Sequence, residues 1–181
     1  MYEQLGTLGG PKELFSGLVG MQADQILLLK ERFPICPTEY WEFLKERGSG
    51  SLMDGGLSVM VVENGPQSAI SDVFGDELIL QYGAQSDVLI FLAEMSGMAY
   101  GFDTGDDSRI VEVDPDRTVS RLEIDFFHFM IGIDVCFPQI PHRYSDGRWY
   151  DIIGNSYSID AENQRTYVHR SDQQWSTSAP A

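Results

Sequence analysis

Lysine is absent from residues 51–125, and only Arg109, Arg117 and Arg121 carry positive charge there, against fifteen Asp or Glu. That stretch holds −12 of a net charge of −16, and the segments on either side hold −2 each. Phosphate backbones are gripped by Lys and Arg, so direct binding of nucleic acid is not expected. A field of this sign attracts a cationic protein, and it also simply keeps a chain in solution. Long apolar runs are missing too. No stretch reaches 18 apolar residues, so a membrane span is not expected. The start, MYEQLGTLGGPKELF, lacks the basic end and apolar centre of a secretory signal, which points to a cytoplasmic location. The two cysteines, Cys36 and Cys136, lie far apart and in no CxxC pair. Two free thiols are expected, although spacing alone leaves a disulfide open.

Catalytic signatures are equally scarce. There is no GxSxG, no GxxxxGK[ST] and no GxGxxG after a strand. Gly48-Ser49-Gly50-Ser51 reads as the end of a helix. His128, His142 and His169 show no HxxxH or HxxH spacing, so zinc has little support. A Cys136–His142 dyad has no local support, because acidic neighbours raise a thiol pKa. No catalytic, cofactor-binding or metal-binding residue is assigned. A hydrolase assembled from scattered carboxylates stays open as a third reading, and would need a deep pocket where they converge.

What the chain does contain is enough to build one domain. It has 181 residues, 43% of them hydrophobic. Residues 1–20 are a glycine-rich lead-in with a short helical segment expected from Pro11 to Leu18. QADQILLLKERF (22–33) reads as a helix, with Ile26, Leu29 and Phe33 on one stripe and Leu27 and Leu28 widening it. Pro34 ends it. Pro37 to Arg47 reads as a second helix. Its face is Tyr40, Phe43 and Leu44, flanked by Trp41, and Gly48 closes it. The two helices should form a hairpin.

Beyond Gly50 the pattern turns to strands: Leu57–Glu63, Asp87–Glu94, and two more in MAYGFD and RIVEVD. Residues 69–83 are ambiguous between helix and strand. Short connections imply a mainly antiparallel sheet. Asp125 is placed to cap a helix, FFHFMIG, with Phe126, Phe129 and Met130 on one side and His128 on the polar side. From Pro138 the composition becomes polar-aromatic. One or two peripheral strands are expected, with SYSID and RTYVH pairing across AENQ, and STSAPA should be disordered.

The stretch Met98–Asp114, MAYGFDTGDDSRIVEVD, is the most acidic local feature. An EF-hand loop needs Asp-x-Asp-x-Asp-Gly and a Glu at the twelfth position, and neither is present. A hairpin explains more. Tyr100 and Phe102 face one side and Ala99, Gly101 and Asp103 the other, while Thr104–Ser108 makes the turn. In that picture Asp106 and Asp107 sit solvated at the tip without partners. Gly97 and Gly101 allow close strand approach or a bend.

Two regions together resemble the SMI1/KNR4, or SUKH, superfamily. In ICPTEYWEFLKERGSGSL the matching positions are Pro37, Tyr40, Phe43, Leu44, Gly48 and Gly50. In DVLIFLAEMSGMAYGFDTGDDSRIVEVD they are Ser96-Gly97, Tyr100, Phe102, Asp103 and Val111 to Asp114. FFHFM resembles the family's closing helix. The likeness spans about residues 20–132. Cys36 departs from the usual Leu before the Pro, and the tail from Pro138 has no counterpart.

The resemblance implies an α+β fold, with N-terminal helices packed on a twisted, mainly antiparallel sheet and a short helix after it. The expected organisation is a lead-in over 1–20, the SUKH-like domain over 21–137, and an extension over 138–181 packed on that domain. It also implies a non-enzymatic binder, most directly an immunity protein that occludes a cognate toxin such as a nuclease. A regulatory or scaffolding module with an endogenous protein partner is the alternative. The expected partner is a cationic protein, with Asp103, Asp106, Asp107, Asp114 and Asp116 as contact residues grouped near one hairpin. Trp149, Tyr150 and Trp175 are possible aromatic anchors, unless they pack the tail onto the domain.

Overall fold

The structure, a computed structural model, describes residues 1–52, 56–62, 88–116 and 118–170. The ambiguous segment at 69–83, Trp175 and STSAPA fall outside them. The fold is α+β. Helices α1 (Ala23–Arg32) and α2 (Thr38–Glu46) precede most of a seven-stranded sheet, which runs β1 (Leu18–Val19), β2 (Ser49–Ser51), β3 (Leu57–Val59), β4 (Val88–Glu94), β5 (Ala99–Asp103), β6 (Arg109–Val113) and β7 (Val119–Arg121). Neighbours in the sheet are neighbours in sequence, and every pair is antiparallel. Helix α3 (Phe126–Val135) follows. A four-stranded sheet comes last among the described residues: β8 (Pro141–Ser145), β9 (Arg148–Asp151), β10 (Ser156–Ile159) and β11 (Arg165–Val168).

The centre of the molecule is α3, buried along nearly its whole length. Asp125 caps it, its Oδ1 accepting the His128 N–H at 2.8 Å. One side meets the large sheet, where the Phe129 ring packs against Phe91 and Tyr100 at 5.6 and 5.3 Å. The other side meets the small sheet at Gly132. A Cβ there would lie 2.6 Å from Trp149 and 2.7 Å from Pro141, so only glycine lets helix and sheet approach this closely. Trp149 is thus a packing residue, and its indole N–H donates to the His128 carbonyl at 2.8 Å. Residues from the lead-in (Tyr2, Leu5, Leu8, Leu14, Phe15), the central region and the tail (Trp149, Tyr157) join one contiguous core.

Helix α2 docks through the expected face, with Tyr40, Phe43 and Leu44 fully buried and Trp41 nearly so. The Tyr40 hydroxyl donates to the Met60 carbonyl at 2.9 Å and accepts the Val62 N–H at 3.0 Å. It therefore occupies backbone groups that further sheet pairing would use, and β3 ends at Val59, short of the expected run, whose last residue, Glu63, lies outside the described residues. Gly48 caps α2 at φ +96°, its N–H reaching the Phe43 carbonyl. The β4–β5 pair carries the irregularity expected of Gly101: the register shifts between Ile90 and Leu92 opposite it. Tyr100 and Phe102 enter the main core, while Ala99, Val111 and Val113 join Val88 and Ile90 in a second cluster on the other face.

Three expectations need correction. Residues 12–17 form successive turns and no helix. Gly10 is tethered to Asp134 and Leu18 is already paired in β1, which leaves too few residues to repay helix nucleation. On α1, Ile26 and Leu29 are buried, but Leu27 and Leu28 stand 59% and 67% exposed. At 100° per residue they point away from the face that docks. The described part of the tail makes four strands, more than the one or two expected. The β10–β11 hairpin forms as anticipated, pairing Ser156 with Val168 and Ile159 with Arg165. The additional β8–β9 hairpin turns at Asp146-Gly147, both at positive φ (53° and 72°), as a two-residue turn requires.

Candidate partner-binding groove

A concavity of about 640 Å³ is built mainly by three elements. The α2 N-terminus supplies Pro37 and Glu39, the β5–β6 turn supplies Asp107 and Ser108, and the run from β7 to α3 supplies Arg121 to Phe126. The run alternates strictly. Leu122 and Ile124 are buried, while Arg121, Glu123 and Asp125 face outward. The floor is therefore apolar and the rim charged. The turn is held against the α1–α2 connection by Ser108, whose hydroxyl donates to the Ile35 carbonyl at 2.5 Å. A second hollow of about 290 Å³ adjoins it, sharing Glu39 and Asp125 and adding Phe127 and His128.

The charges divide by partner. Asp106 is not free at the tip, as the sequence suggested. Its Oδ2 lies 2.7 Å from the Arg121 guanidinium and 3.7 Å from that of Arg109, because the turn folds it back over both strands. That oxygen is buried and makes no hydrogen bond of good geometry, so the contact is an ion pair in the plain Coulomb sense. The groove's two arginines are thereby neutralised in part. Glu39, Asp107 and Glu123 meet no cationic side chain among the described residues. Asp125 holds His128 Nδ1 at 2.7 Å, and that ring stacks on Tyr144 at 3.8 Å.

The five predicted contact residues do not form one group. Asp103 sits at the start of the β5–β6 turn, where its Oδ1 accepts the Gly105 N–H at 2.9 Å. Asp107 faces the groove at φ 52°. Asp114 and Asp116 belong to the β6–β7 turn, at the other end of β6, about 14–17 Å away at roughly 3.4 Å per residue. Antiparallel strands put successive turns at opposite ends of the sheet, which sequence proximity hides. Asp116 is fully exposed and its carboxyl is lowered by the Thr118 backbone N–H. Asp114 is raised, by partial burial first and then by Glu112 and Asp116.

The sequence reading missed several functional-type groups. Glu112 is buried and faces the core beside Tyr100, its direct partner in the β5–β6 register. His142 from β8 reaches it, Nε2 to Oε2 at 3.2 Å, so one side-chain contact ties the two sheets together. Burial opposes ionisation of Glu112, but hydrogen bonding and charge from His142, with the Tyr100 hydroxyl, outweigh it and leave the carboxyl lowered. The same burial and carboxylate push the Tyr100 phenol far up. The β5–β6 register puts Tyr100 opposite Glu112, a pairing that alternation within either strand does not specify, and nothing in the sequence pointed to His142. Asp125 was legible as a helix cap, whereas its place on one rim with Glu39 and Glu123 follows only from the fold.

Both thiols are free and buried. Burial pushes Cys36 up to about 12. Cys136 is raised by burial and further by Asp151, in the direction expected of an acidic neighbour. No group of three or more His, Cys, Asp or Glu among the described residues has the arrangement of a metal site. No described helix is long and apolar enough to cross a membrane. Compared with known proteins, the chain matches no family model and no curated sequence.

Proposed function

We propose that this protein is a non-catalytic binding module of the immunity type, which neutralises a cationic toxin by covering it. The single observation that carries the reading is the groove rim. Carboxylates from three separate elements, Glu39, Asp107 and Glu123, stand around an apolar floor and meet no cationic side chain among the described residues. The arginines beside them are turned onto Asp106. Such a rim suits a basic surface with apolar side chains at its centre, where most binding energy resides. The −12 balance of residues 51–125 supplies long-range steering. Resemblance to SUKH proteins in the α2 and β4–β6 motifs favours a toxin over other cationic partners. A regulatory module that uses the same groove for an endogenous basic protein is the second reading, and partner identity separates the two.

The test is binding to the basic toxin domain encoded beside this chain's gene, measured at 50 and 300 mM salt. Association should slow markedly at the higher salt, and Glu39→Gln/Asp107→Asn/Glu123→Gln should slow it at low salt without altering the melting temperature. Salt-independent association, or full affinity in the triple variant, rejects the groove as the docking face.

A further inference from the structure

A third concavity, about 300 Å³, shares no residue with the groove and carries the opposite charge. It lies around the β9–β10 loop, Ile152–Asn155, with Arg143 and Arg170 on its wall. The loop is rigidly built. Asp151 is buried, and its carboxylate accepts the N–H groups of Ile153 (3.1 Å) and Asn155 (2.9 Å), the Asn155 amide (2.7 Å) and the Tyr157 hydroxyl (3.1 Å). Gly154 turns the chain at φ +87°, and its N–H donates to the Asp151 carbonyl. What this network presents outward is two adjacent isoleucines, Ile152 and Ile153, 68% and 51% exposed. A buried carboxylate with four donors is a costly way to hold an apolar tip in water.

Both arginines are oriented rather than loose. The Arg143 guanidinium lies 4.1 Å over the Tyr150 ring. Arg170 donates from Nη1 to the Ile153 carbonyl and from its backbone N–H to Asn155 Oδ1, each at 3.1 Å. Neither meets a carboxylate in an ion pair among the described residues, and Asp151 spends its oxygens on the loop. Two positioned guanidinium groups beside exposed aliphatic side chains match one kind of ligand: a carboxylate next to an apolar side chain.

We propose that this loop and its two arginines form a second docking site, for an acidic peptide segment that carries an aliphatic or aromatic residue beside its carboxylate. A concave wall fits a side chain better than a flat bilayer, and a chain of net charge −16 is repelled by anionic lipid. The proposal is independent of the groove, because the two sites select ligands of opposite sign.

Peptide-phage selection on the immobilised full chain, counter-selected on Arg143→Glu/Arg170→Glu, reads out the preferred chemistry. Enriched peptides should carry Asp or Glu next to Leu, Ile, Phe or Trp. A synthetic copy of the top peptide should bind the unaltered chain at least tenfold tighter than the charge-reversed variant. Ile152→Ser/Ile153→Ser changes only exposed side chains and keeps both arginines, so it tests the loop even if the charge-reversed chain misfolds; it should weaken the peptide at least threefold. Absence of acidic enrichment, or unchanged affinity in Ile152→Ser/Ile153→Ser, overturns the proposal. Binding to phosphatidylserine vesicles in place of peptide, lost in the same variants, overturns it in favour of a membrane contact.

Discussion

Removing the Asp134 carboxylate should release the N-terminal segment and cost a large part of the protein's stability. Asp134 lies on α3 and is fully buried. It meets no cation among the described residues; its partners are backbone N–H groups of the lead-in. Oδ2 accepts from Gly6 at 2.6 Å and Leu8 at 3.2 Å, and Oδ1 accepts from Gly10 at 2.8 Å. The loop wraps the carboxylate, and its own side chains Leu5 and Leu8 then enter the core. A hydrogen bond to a charged group contributes about 1.5–3 kcal/mol, so three give a gross term of roughly 4.5–9 kcal/mol. Several kcal/mol of that offset the cost of burying the charge. The net expectation for Asp134→Ala is about 3–5 kcal/mol, with Asp134→Asn intermediate at about 2–3 kcal/mol. The amide oxygen can serve Gly6 and Leu8, while its NH₂ faces the Gly10 N–H donor to donor. With a urea m-value of about 2 kcal/mol/M, the Ala variant's midpoint should fall by roughly 1.5–2.5 M. Hydrogen exchange at Gly6, Leu8 and Gly10 should rise before that of β4–β6. Losses under about 1 kcal/mol in both variants, with exchange unchanged at those amides, would refute the view that this carboxylate organises the lead-in.

Acid should weaken the junction between the sheets. The Glu112 carboxyl is lowered in the folded state, so its contribution is complete above the unfolded value near 4.5 and fades as pH falls through the folded one. His142→Gln should cost about 1–2 kcal/mol near neutral pH and move the midpoint of acid unfolding upward, read by circular dichroism. Gly132→Ala should destabilise by about 1–3 kcal/mol in thermal melts, because the added methyl meets Trp149 and Pro141 under 3 Å. Cys36 and Cys136 should resist a thiol reagent at pH 8 in the native protein and react together on unfolding; rapid native labelling of either would contradict their burial and raised pKa values.

Much of the fold was legible because it rests on local periodicity. The α2 face, the Asp125 cap, the strands β4 to β6 and the β10–β11 hairpin each follow from spacing within a dozen residues. The Asp146-Gly147 turn was equally readable as a hairpin signal, and was overlooked in a segment judged peripheral. Of the candidate site, only Asp107 from the predicted set reaches the groove. The pairing of Asp106 is hidden in the sequence because Arg121 comes from β7, fifteen residues on.

By itself, the sequence determined the α+β class, the sign and location of the charge and the buried face of α2, since each depends on composition or on short-range repeat. The tertiary structure alone decided which charges meet. It placed Asp134 against three amides more than a hundred residues away, joined Glu112 to His142 across two sheets, and sent the acidic turns to opposite ends of β6. Those pairings depend on how strands reverse and layers stack, and a contact between distant segments leaves no period in the chain for a reader to find.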